Sequence, residues 1–301
     1  MSMTPALTEG THTIERDGVA MRYHVAGSGP VCVLHPGGPG AAWEYLRAPH
    51  LEKDLTCVYV EPVGTGGSGR LPTHPDGYSL DRYVSFVDAL IDHLDVPQVH
   101  LLGHSHGGFV AQRYAITRPD RLAGLVLYDT APAAGPELMA EAGRQMEEFF
   151  ARFPDRPEAH EAMATWKALA TGTDEEYTRS MRGLLPAYFA DSRVTEAFAT
   201  LRAELRAWAV TSDEGPWQHH EALATLRTPT LVLVGQWDFI CGPRWAHELH
   251  ETIPGSQLVT FEHSGHFVHI EEPEGFASAV AGFVERNVVA DRTVSSPRGG
   301  A

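Results

Sequence analysis

The chain has 301 residues, with 39 acidic and 23 basic side chains and a formal charge of −16. This charge argues against nucleic acid or an anionic membrane surface as a partner, because both would repel it. No apolar run approaches the roughly 20 residues that a membrane-spanning helix needs, and the first residues have neither the basic nor the apolar region of a secretory signal. The sequence therefore predicts a cytoplasmic protein with one domain that carries an insertion. It leaves the oligomeric state open, with a homo-oligomer among the alternatives.

The predicted strands begin with a hairpin, because residues 11–29 alternate in period two around the turn dipeptide Asp17-Gly18. Apolar, β-branched runs then alternate with amphipathic segments, which is typical of a mostly parallel sheet with helices on both faces. Cys32 and Cys57 lie in these runs and, with Cys241, are expected as buried reduced thiols. The runs are Val31–Leu34, Cys57–Val60, Val99–Leu102, Leu122–Tyr128, Thr230–Val234 and Leu258–Phe261.

Helices are predicted where crossovers between strands are needed. Residues 80–94 carry apolar side chains at three- and four-residue spacing, and residues 107–118 form a second such segment that stops before a proline. Between residues 134 and 227 the strand signal disappears and helix-forming residues dominate. We therefore predict a core of residues 1–133 and 228–288, a helical cap over 134–227, and a disordered polar tail over 289–301.

A glycine-rich loop, residues 35–40 (HPGGPG), follows the first run of the predicted core. Its backbone N–H groups can approach a substrate closely because the glycines have no side chains, so Gly38 or Gly37 is a candidate donor to a developing oxyanion. A dinucleotide-binding loop is the alternative. It is disfavoured because the G-x-G-x-x-G spacing is missing and a proline stands where a helix would continue.

The strongest local signal is Gly103-His104-Ser105-His106-Gly107, between an apolar strand and a helix. A G-x-S-x-G at this junction holds the serine in a strained turn above the sheet, so Ser105 is the candidate nucleophile. The backbone N–H of His106, the next residue, is the second candidate oxyanion donor. A chance occurrence of the pentapeptide is the alternative, and the strand and helix around it argue against that.

The acid that orients the catalytic base should follow the penultimate strand. Asp238 lies just past that strand, in the segment GQWDFICGP, and can accept the Nδ1 proton of a histidine. Asp129, at the end of the LVLYD strand, is the alternative acid, because another strand end could also reach the base. A helix-capping role is the alternative for Asp238.

The candidate general base is His266, which follows Ser264-Gly265 beyond the last predicted strand. This position completes the order serine, acid, histidine, and a ring there can reach across the carboxyl edge of the sheet. His263 and His269 are the competing histidines, and structural or rim positions are expected for both.

Metal binding is considered because the chain has 17 histidines. His104 with His106, and the series His263, His266 and His269, could be arranged as ligands. The H-E-x-x-H and paired-cysteine patterns of common zinc sites are missing. A serine, a base and oxyanion donors need neither a metal nor a cofactor, so none is expected.

With these motifs in order, the chain resembles the α/β-hydrolase superfamily over residues 20 to 288. Within it, HPGGPG, EPVGTGGSGR and GQWDFICGP resemble the proline iminopeptidase family and its relatives. The resemblance implies the α/β-hydrolase fold with a helical cap insertion, with Ser105, Asp238 and His266 as the triad and Gly38 and His106 as oxyanion donors. Many iminopeptidases hold the substrate amine with a Trp-Glu element of the cap. The only such pair here, Trp43-Glu44, lies in the predicted core.

The resemblance implies a serine hydrolase that cleaves a small amide or ester through an acyl-enzyme, as proline iminopeptidases do. A carboxylesterase or lactonase without aminopeptidase activity is the alternative, and a non-catalytic ligand-binding member of the fold is a further one. An aminopeptidase would need a desolvated carboxylate for the substrate ammonium. The candidates in the predicted cap are Glu175, Glu176, Asp191, Glu204, Asp213 and Glu214.

Overall fold

The computed structural model describes residues 5–191, 196–212 and 214–294. Its strands are β1 (Gly10–Arg16), β2 (Val19–Ala26), β3 (Val31–His35), β4 (Thr56–Glu61), β5 (Val99–His104), β6 (Leu122–Tyr128), β7 (Ala133–Ala134), β8 (Trp217–Gln218), β9 (Thr230–Gly235) and β10 (Gln257–Phe261). Its α-helices are α1 (Leu80–His93), α2 (His106–Thr117), α3 (Pro136–Arg152), α4 (Pro157–Lys167), α5 (Asp174–Leu184), α6 (Glu196–Glu204), α7 (His220–Leu223), α8 (Pro243–Thr252), α9 (Val268–Glu271) and α10 (Pro273–Val294).

Eight strands form one sheet in the order β1-β2-β4-β3-β5-β6-β9-β10. The predicted hairpin is confirmed: β1 and β2 pair in antiparallel fashion around Asp17 and Gly18, both of which have positive φ. From β4 to β10 every neighbouring pair is parallel. The carboxyl ends of β3, β5, β6 and β9 therefore meet at one edge of the sheet.

Both faces of the sheet are covered by helices, as predicted. Buried residues of α1, α2 and α8 pack with one set of strand side chains, including Val33, Leu101 and Val232. Buried residues of α10 pack with the alternate set, including Leu34 and Leu102. Successive strand residues thus face opposite layers, which is why β4, β5 and β9 are buried throughout. The three cysteines are buried and unpaired, as expected.

Between β6 and β9 the chain is mostly helical, and we call residues 134–227 the helical segment. Helices α3 to α7 lie within it. The short antiparallel pair β7 and β8 joins its two ends and was not predicted, because two-residue strands leave no periodic signal. Among the described residues, no helix is long and apolar enough to cross a membrane.

Helix α10 continues to Val294, which lies within residues 289–301, the segment predicted as a disordered tail. The remainder of that prediction, residues 295–301, lies outside the described residues.

Candidate active site

Ser105 lies in a strained turn between β5 and α2. Its backbone has φ 54° and ψ −120°, a conformation that non-glycine residues rarely adopt. The turn is held from several sides: Ser105 donates its N–H to the carbonyl of Tyr128 at 2.9 Å, and its own carbonyl accepts from Thr130 Oγ1 and Gly108 N, both at 2.8 Å. These bonds fix the serine at the carboxyl edge of the sheet.

The two glycines that flank this turn have no room for a side chain. A Cβ on Gly103 would lie 2.2 Å from the carbonyl oxygen of Gly107. A Cβ on Gly107 would lie 2.2 Å from the carbonyl oxygen of His35, at the end of β3. Close approach of backbone to backbone therefore explains the G-x-S-x-G spacing in this chain.

His266 and Asp238 form a buried hydrogen-bonded pair. His266 Nδ1 donates to Asp238 Oδ2 at 2.7 Å, and both side chains are nearly inaccessible to solvent. The other oxygen of Asp238, Oδ1, accepts the N–H groups of Ile240 at 2.9 Å and Cys241 at 3.2 Å. The structure thus joins Asp238 to His266 and aligns the Asp238 carboxylate by three donors, which leaves His266 Nε2 free to act as a base.

The turn that carries His266 is fixed by two adjacent glutamates. Glu271 accepts the N–H groups of Gly265 at 2.6 Å and of Ala190, in the helical segment, at 2.9 Å. Glu272 accepts from Ser264 Oγ at 2.7 Å. Burial raises the pKa of Glu271 to about 7, against the effect of its two N–H donors. Because Glu271 bonds both Gly265 and Ala190, it links the turn that carries His266 to the helical segment.

The loop after β3 leaves one of its two candidate N–H donors free. Gly37 donates its N–H to the Tyr45 hydroxyl at 2.5 Å, so this group is already occupied. Among the described residues no acceptor is found for the N–H of Gly38 or of His106. Since the first N–H groups of a helix have no intrahelical partner, the N–H of His106 is available at the start of α2. Gly38 and His106 are therefore the pair that fits an oxyanion site.

Tyr45 connects the glycine-rich loop to the strand that carries the serine. Its hydroxyl accepts from Gly37 N and lies 2.6 Å from His104 Nδ1, while His104 Nε2 lies 2.9 Å from the carbonyl oxygen of His266. Because that carbonyl can only accept, Nε2 carries the proton of His104 and the Tyr45 hydroxyl donates to Nδ1. Burial keeps the pKa of His104 well below its usual 6.5, so the ring is neutral. No local sequence signal marks Tyr45.

We expect Tyr45→Phe to lower kcat by about tenfold with little change in KM. The change leaves the N–H of Gly37 and Nδ1 of His104 buried without partners, which costs about 1–3 kcal/mol for each group and loosens the loop beside Gly38. Steady-state kinetics measure the change in kcat, and thermal unfolding measures the loss of stability.

Tyr59→Phe is the matched control for this prediction. The Tyr59 hydroxyl is also buried, accepts the N–H of Ala48 and donates to Glu52, both at 3.0 Å, but it is not part of the network around Ser105. Its loss should lower the melting temperature and leave kcat unchanged. Equal losses of kcat in the two variants would mean that Tyr45 serves stability alone.

The geometry does not favour a metal at this site. One ligand atom each of His104, Asp129 and His266 lie within 4.8 Å of one another, but both ring nitrogens of His104 already have protein partners. A metal ligand must offer a free lone pair. His263 is exposed and, like His106, lies outside this cluster. The histidines considered as possible metal ligands are therefore not all brought together.

A cavity of about 190 Å³ opens over Ser105. Half of its lining comes from the sheet edge and its loops, including Gly38, His266 and Ile240. The other half comes from the helical segment, and these residues are mostly apolar: Met139, Trp166, Leu169, Thr171, Tyr177, Met181, Leu184, Tyr188 and Leu205. No sequence motif marks this second set, because helical periodicity does not say which surface a helix covers.

None of the described residues that line this cavity is acidic. The six acidic candidates for binding a substrate amine lie elsewhere where they are described. Glu175 and Glu204 are exposed, Glu176 is part-exposed, Asp191 pairs with Arg156, Glu214 accepts the N–H of Leu80, and Asp213 lies outside the described residues.

The family model of the α/β-hydrolase fold matches residues 30–273. The chain is 28% identical over 272 residues to 2-hydroxymuconate semialdehyde hydrolase of Pseudomonas sp. strain CF600, covering 89% of this chain and 91% of that protein. It is 24% identical over 292 residues to proline iminopeptidase of Lactobacillus acidophilus, covering 90% and 96%. The crystal structure of proline iminopeptidase from Mycobacterium smegmatis superposes with a TM-score of 0.71 at 21% identity, covering 94% and 100%.

These similarities confirm the predicted fold and the kinship with proline iminopeptidases and related hydrolases. They do not choose a substrate, because the names of the two relatives describe different substrates. The choice depends on the cavity over Ser105.

Proposed function

We propose that this chain, which belongs to the α/β-hydrolase fold family, is a serine hydrolase of neutral esters with a compact apolar acyl group. Ser105 is the nucleophile, His266 the general base and Asp238 the acid that orients it. Gly38 and His106 supply the oxyanion N–H groups, and the helical segment serves as a cap over the serine.

In the proposed reaction, Ser105 Oγ attacks the ester carbonyl while His266 Nε2 accepts the serine proton. The carbonyl oxygen becomes an oxyanion that the N–H groups of Gly38 and His106 stabilise. Collapse of the tetrahedral intermediate breaks the bond to the alcohol oxygen, which takes the proton from His266. Water then attacks the acyl-enzyme by the same steps, releasing the carboxylic acid and restoring Ser105.

One observation carries the choice of a neutral substrate: an apolar cavity without an acidic lining residue in the described part of the chain. A substrate ammonium buried there would have no counter-charge, which costs several kcal/mol. The sequence resemblance favoured an iminopeptidase-like activity, but such an activity needs a carboxylate at this position. The cavity therefore supports the esterase or lactonase alternative.

The mouth of the cavity supports an apolar acyl group as well. Three large apolar side chains are exposed in the described part of the chain, and two of them, Met139 at 47% and Leu169 at 44%, line this cavity. Exposed apolar side chains grouped at a cleft are typical of a ligand-binding surface. The volume of about 190 Å³ is below the usual 300 Å³ of drug-sized sites, so the group bound inside must be small.

A pair of substrates that differ only in the amine tests this proposal. We expect kcat/KM for p-nitrophenyl propionate to exceed that for the p-nitrophenyl ester of alanine by at least about 10²-fold, because only the second buries an unpaired ammonium. Rates are corrected for spontaneous hydrolysis and repeated with the Ser105→Ala variant. A small lactone and the alanyl and prolyl p-nitroanilides complete the panel.

The outcomes separate the alternatives. Turnover of the lactone above the open-chain ester assigns a lactonase. Preference for the alanyl ester, with cleavage of prolyl p-nitroanilide, contradicts the proposal and restores the iminopeptidase. A folded protein that turns over none of these compounds and does not react with a fluorophosphonate would favour the non-catalytic alternative.

A further inference from the structure

Asp129 is a buried carboxyl that the proposed mechanism does not use. It follows Tyr128 at the end of β6, is fully inaccessible to solvent, and has a positive φ of 44°. Its Oδ1 accepts the N–H of Gly235 at 2.9 Å. Its Oδ2 is buried and has no hydrogen-bond partner among the described residues. An unpaired buried oxygen of this kind costs about 1–3 kcal/mol, so its presence calls for a role.

The free oxygen belongs to a carboxyl that faces the proposed base. A carboxylate oxygen of Asp129, a ring nitrogen of His266 and a ring nitrogen of His104 all lie within 4.8 Å of one another. The cause is the sheet: β6 and β9 are parallel neighbours with Tyr128 opposite Leu233, so the residues that follow both strands reach the same edge. Asp129 and Asp238 therefore stand beside one imidazole.

The two carboxyl groups are not equivalent in charge. Asp238 accepts the Nδ1–H of His266 and two backbone N–H groups, whereas Asp129 accepts one N–H. Burial and a neighbouring negative charge both favour the neutral form of a carboxyl group. Burial, and then the negative charge of Asp238, raise the pKa of Asp129 well above its usual value. Glu271 adds a smaller repulsion of the same sign. The negative charge therefore belongs to Asp238, and Asp129 is the neutral partner.

We propose that Asp129 is a reserve acid of this site, a neutral carboxyl that becomes the anionic partner of His266 when Asp238 loses its negative charge. This inference rests on the proposed function. Removing the charge of Asp238 removes the repulsion that acts together with burial to keep Asp129 protonated. The positive charge that His266 gains when it accepts the serine proton then favours the ionised form of Asp129 beside the imidazole. Rotation of its side chain, or of the His266 ring, brings the two within hydrogen-bond distance. Asp129 is a positioning residue, since it acts on the substrate only through His266.

A double-mutant cycle on kcat tests the proposal, because it isolates the coupling between two sites. We expect Asp129→Asn alone to change kcat by less than about threefold, since an amide has the shape of a neutral carboxyl. Asp238→Asn should lower kcat by about 10², less than the loss of about 10⁴ seen when a base has no anionic partner. The double variant should reach that full loss. Asp129→Asn thus lowers kcat by about 10² in the Asp238→Asn background and by less than about threefold in the wild-type background.

Glu61→Gln, introduced into the same two backgrounds, is the matched control. Glu61 is also a buried carboxyl, but its hydrogen bonds are with His24 and the backbone of Gly67, away from the proposed triad. Its effect on kcat should be the same whether or not Asp238 is present. Thermal unfolding shows that each variant is folded.

Infrared difference spectra give a second measurement that a purely structural role would not change. At a pH well above 7, where Glu271 is ionised, the wild type should show a protonated carboxyl band that Asp129→Asn removes. Asp238→Asn should remove the same band, because Asp129 has ionised. If Asp129→Asn fails to fold, a band that is present in the wild type and absent in Asp238→Asn still identifies a carboxyl whose protonation depends on the charge of Asp238.

The reserve role would be overturned if Asp129→Asn lowered kcat by the same factor in both backgrounds. It would also be overturned if the carboxyl band survived in Asp238→Asn. A loss in Asp129→Asn alone as large as that in Asp238→Asn would overturn it too, because Asp129 would then be the principal acid. Activity that does not depend on Ser105 would instead refute the proposed function. The two failures are therefore distinguishable.

Discussion

Replacing Ser105 with alanine is expected to lower kcat by about 10⁶, since the attacking oxygen is lost while the fold is kept. The residual rate, about 10³–10⁴ above that in water, should come from binding and the N–H groups of Gly38 and His106. Alanine, like serine, has a Cβ atom, so the substitution does not relieve the strained backbone of the turn. The measurement is the rate with p-nitrophenyl propionate, alongside thermal unfolding of the variant.

Covalent labelling makes this prediction specific to one atom. A fluorophosphonate should modify the wild type once, and peptide mass mapping should find the label on Ser105. Ser264→Ala is the matched control, because Ser264 is a buried serine two residues before His266 and its hydroxyl is already donated to Glu272 at 2.7 Å. That variant should still carry a single label, on Ser105. A label on any other residue, or near-normal turnover without Ser105, would refute the acyl-enzyme mechanism.

The sequence predicted the sheet and the residues at its edge because their signals are local. A parallel strand buried on both faces is a short apolar run, and a G-x-S-x-G between such a run and a helix can fold in few ways. Asp238 and His266 could be predicted in the same manner, since each follows a strand of the sheet. Their side chains come within 2.7 Å because β9 and β10 are neighbours in the sheet. The order of residues along the chain does not give this arrangement of strands, which was expected only from the resemblance to the α/β-hydrolase superfamily.

The cavity could not be predicted in this way. Trp166, Tyr177 and Leu205 line it because α4, α5 and the residues after α6 pack over the edge of the sheet. A helix with one apolar face has the same periodicity whether that face covers a core or a substrate. The sequence likewise does not say which acidic residues of the helical segment face a substrate. In the structure, none of the described ones lines the cavity.

The role of His104 also required the structure. In the sequence it is one of two histidines beside a serine, a pattern as typical of metal ligands as of structural rings. Only the contacts with Tyr45 and the carbonyl of His266 show that both ring nitrogens are used. The unpaired oxygen of Asp129 is likewise a property of packing, and no residue pattern indicates it.

Replacing His266 with alanine is expected to lower kcat by about 10⁵ to 10⁶, almost as much as the loss of Ser105, because the serine then has no base to accept its proton. His269→Gln is the matched control from the same segment. His269 is buried and neutral, since burial lowers its pKa to about 4, and its ring nitrogens bond Tyr128 and the carbonyl of Tyr45. Its loss should cost about 1–3 kcal/mol of stability but less than about tenfold in kcat.

The combined variant Ser105→Ala with His266→Ala decides whether the two residues act as one unit. If His266 serves only to activate Ser105, its removal costs nothing once the serine is gone, so the double variant should be as active as Ser105→Ala alone. Independent contributions would instead multiply to a loss of more than about 10¹⁰, far below any residual rate. A measurable further loss in the double variant would mean that His266 also acts on the substrate without Ser105, for example by activating water directly. Equal residual rates in the single and double variants, with His269→Gln near the wild type, would assign the base to His266 and its task to the Ser105 proton.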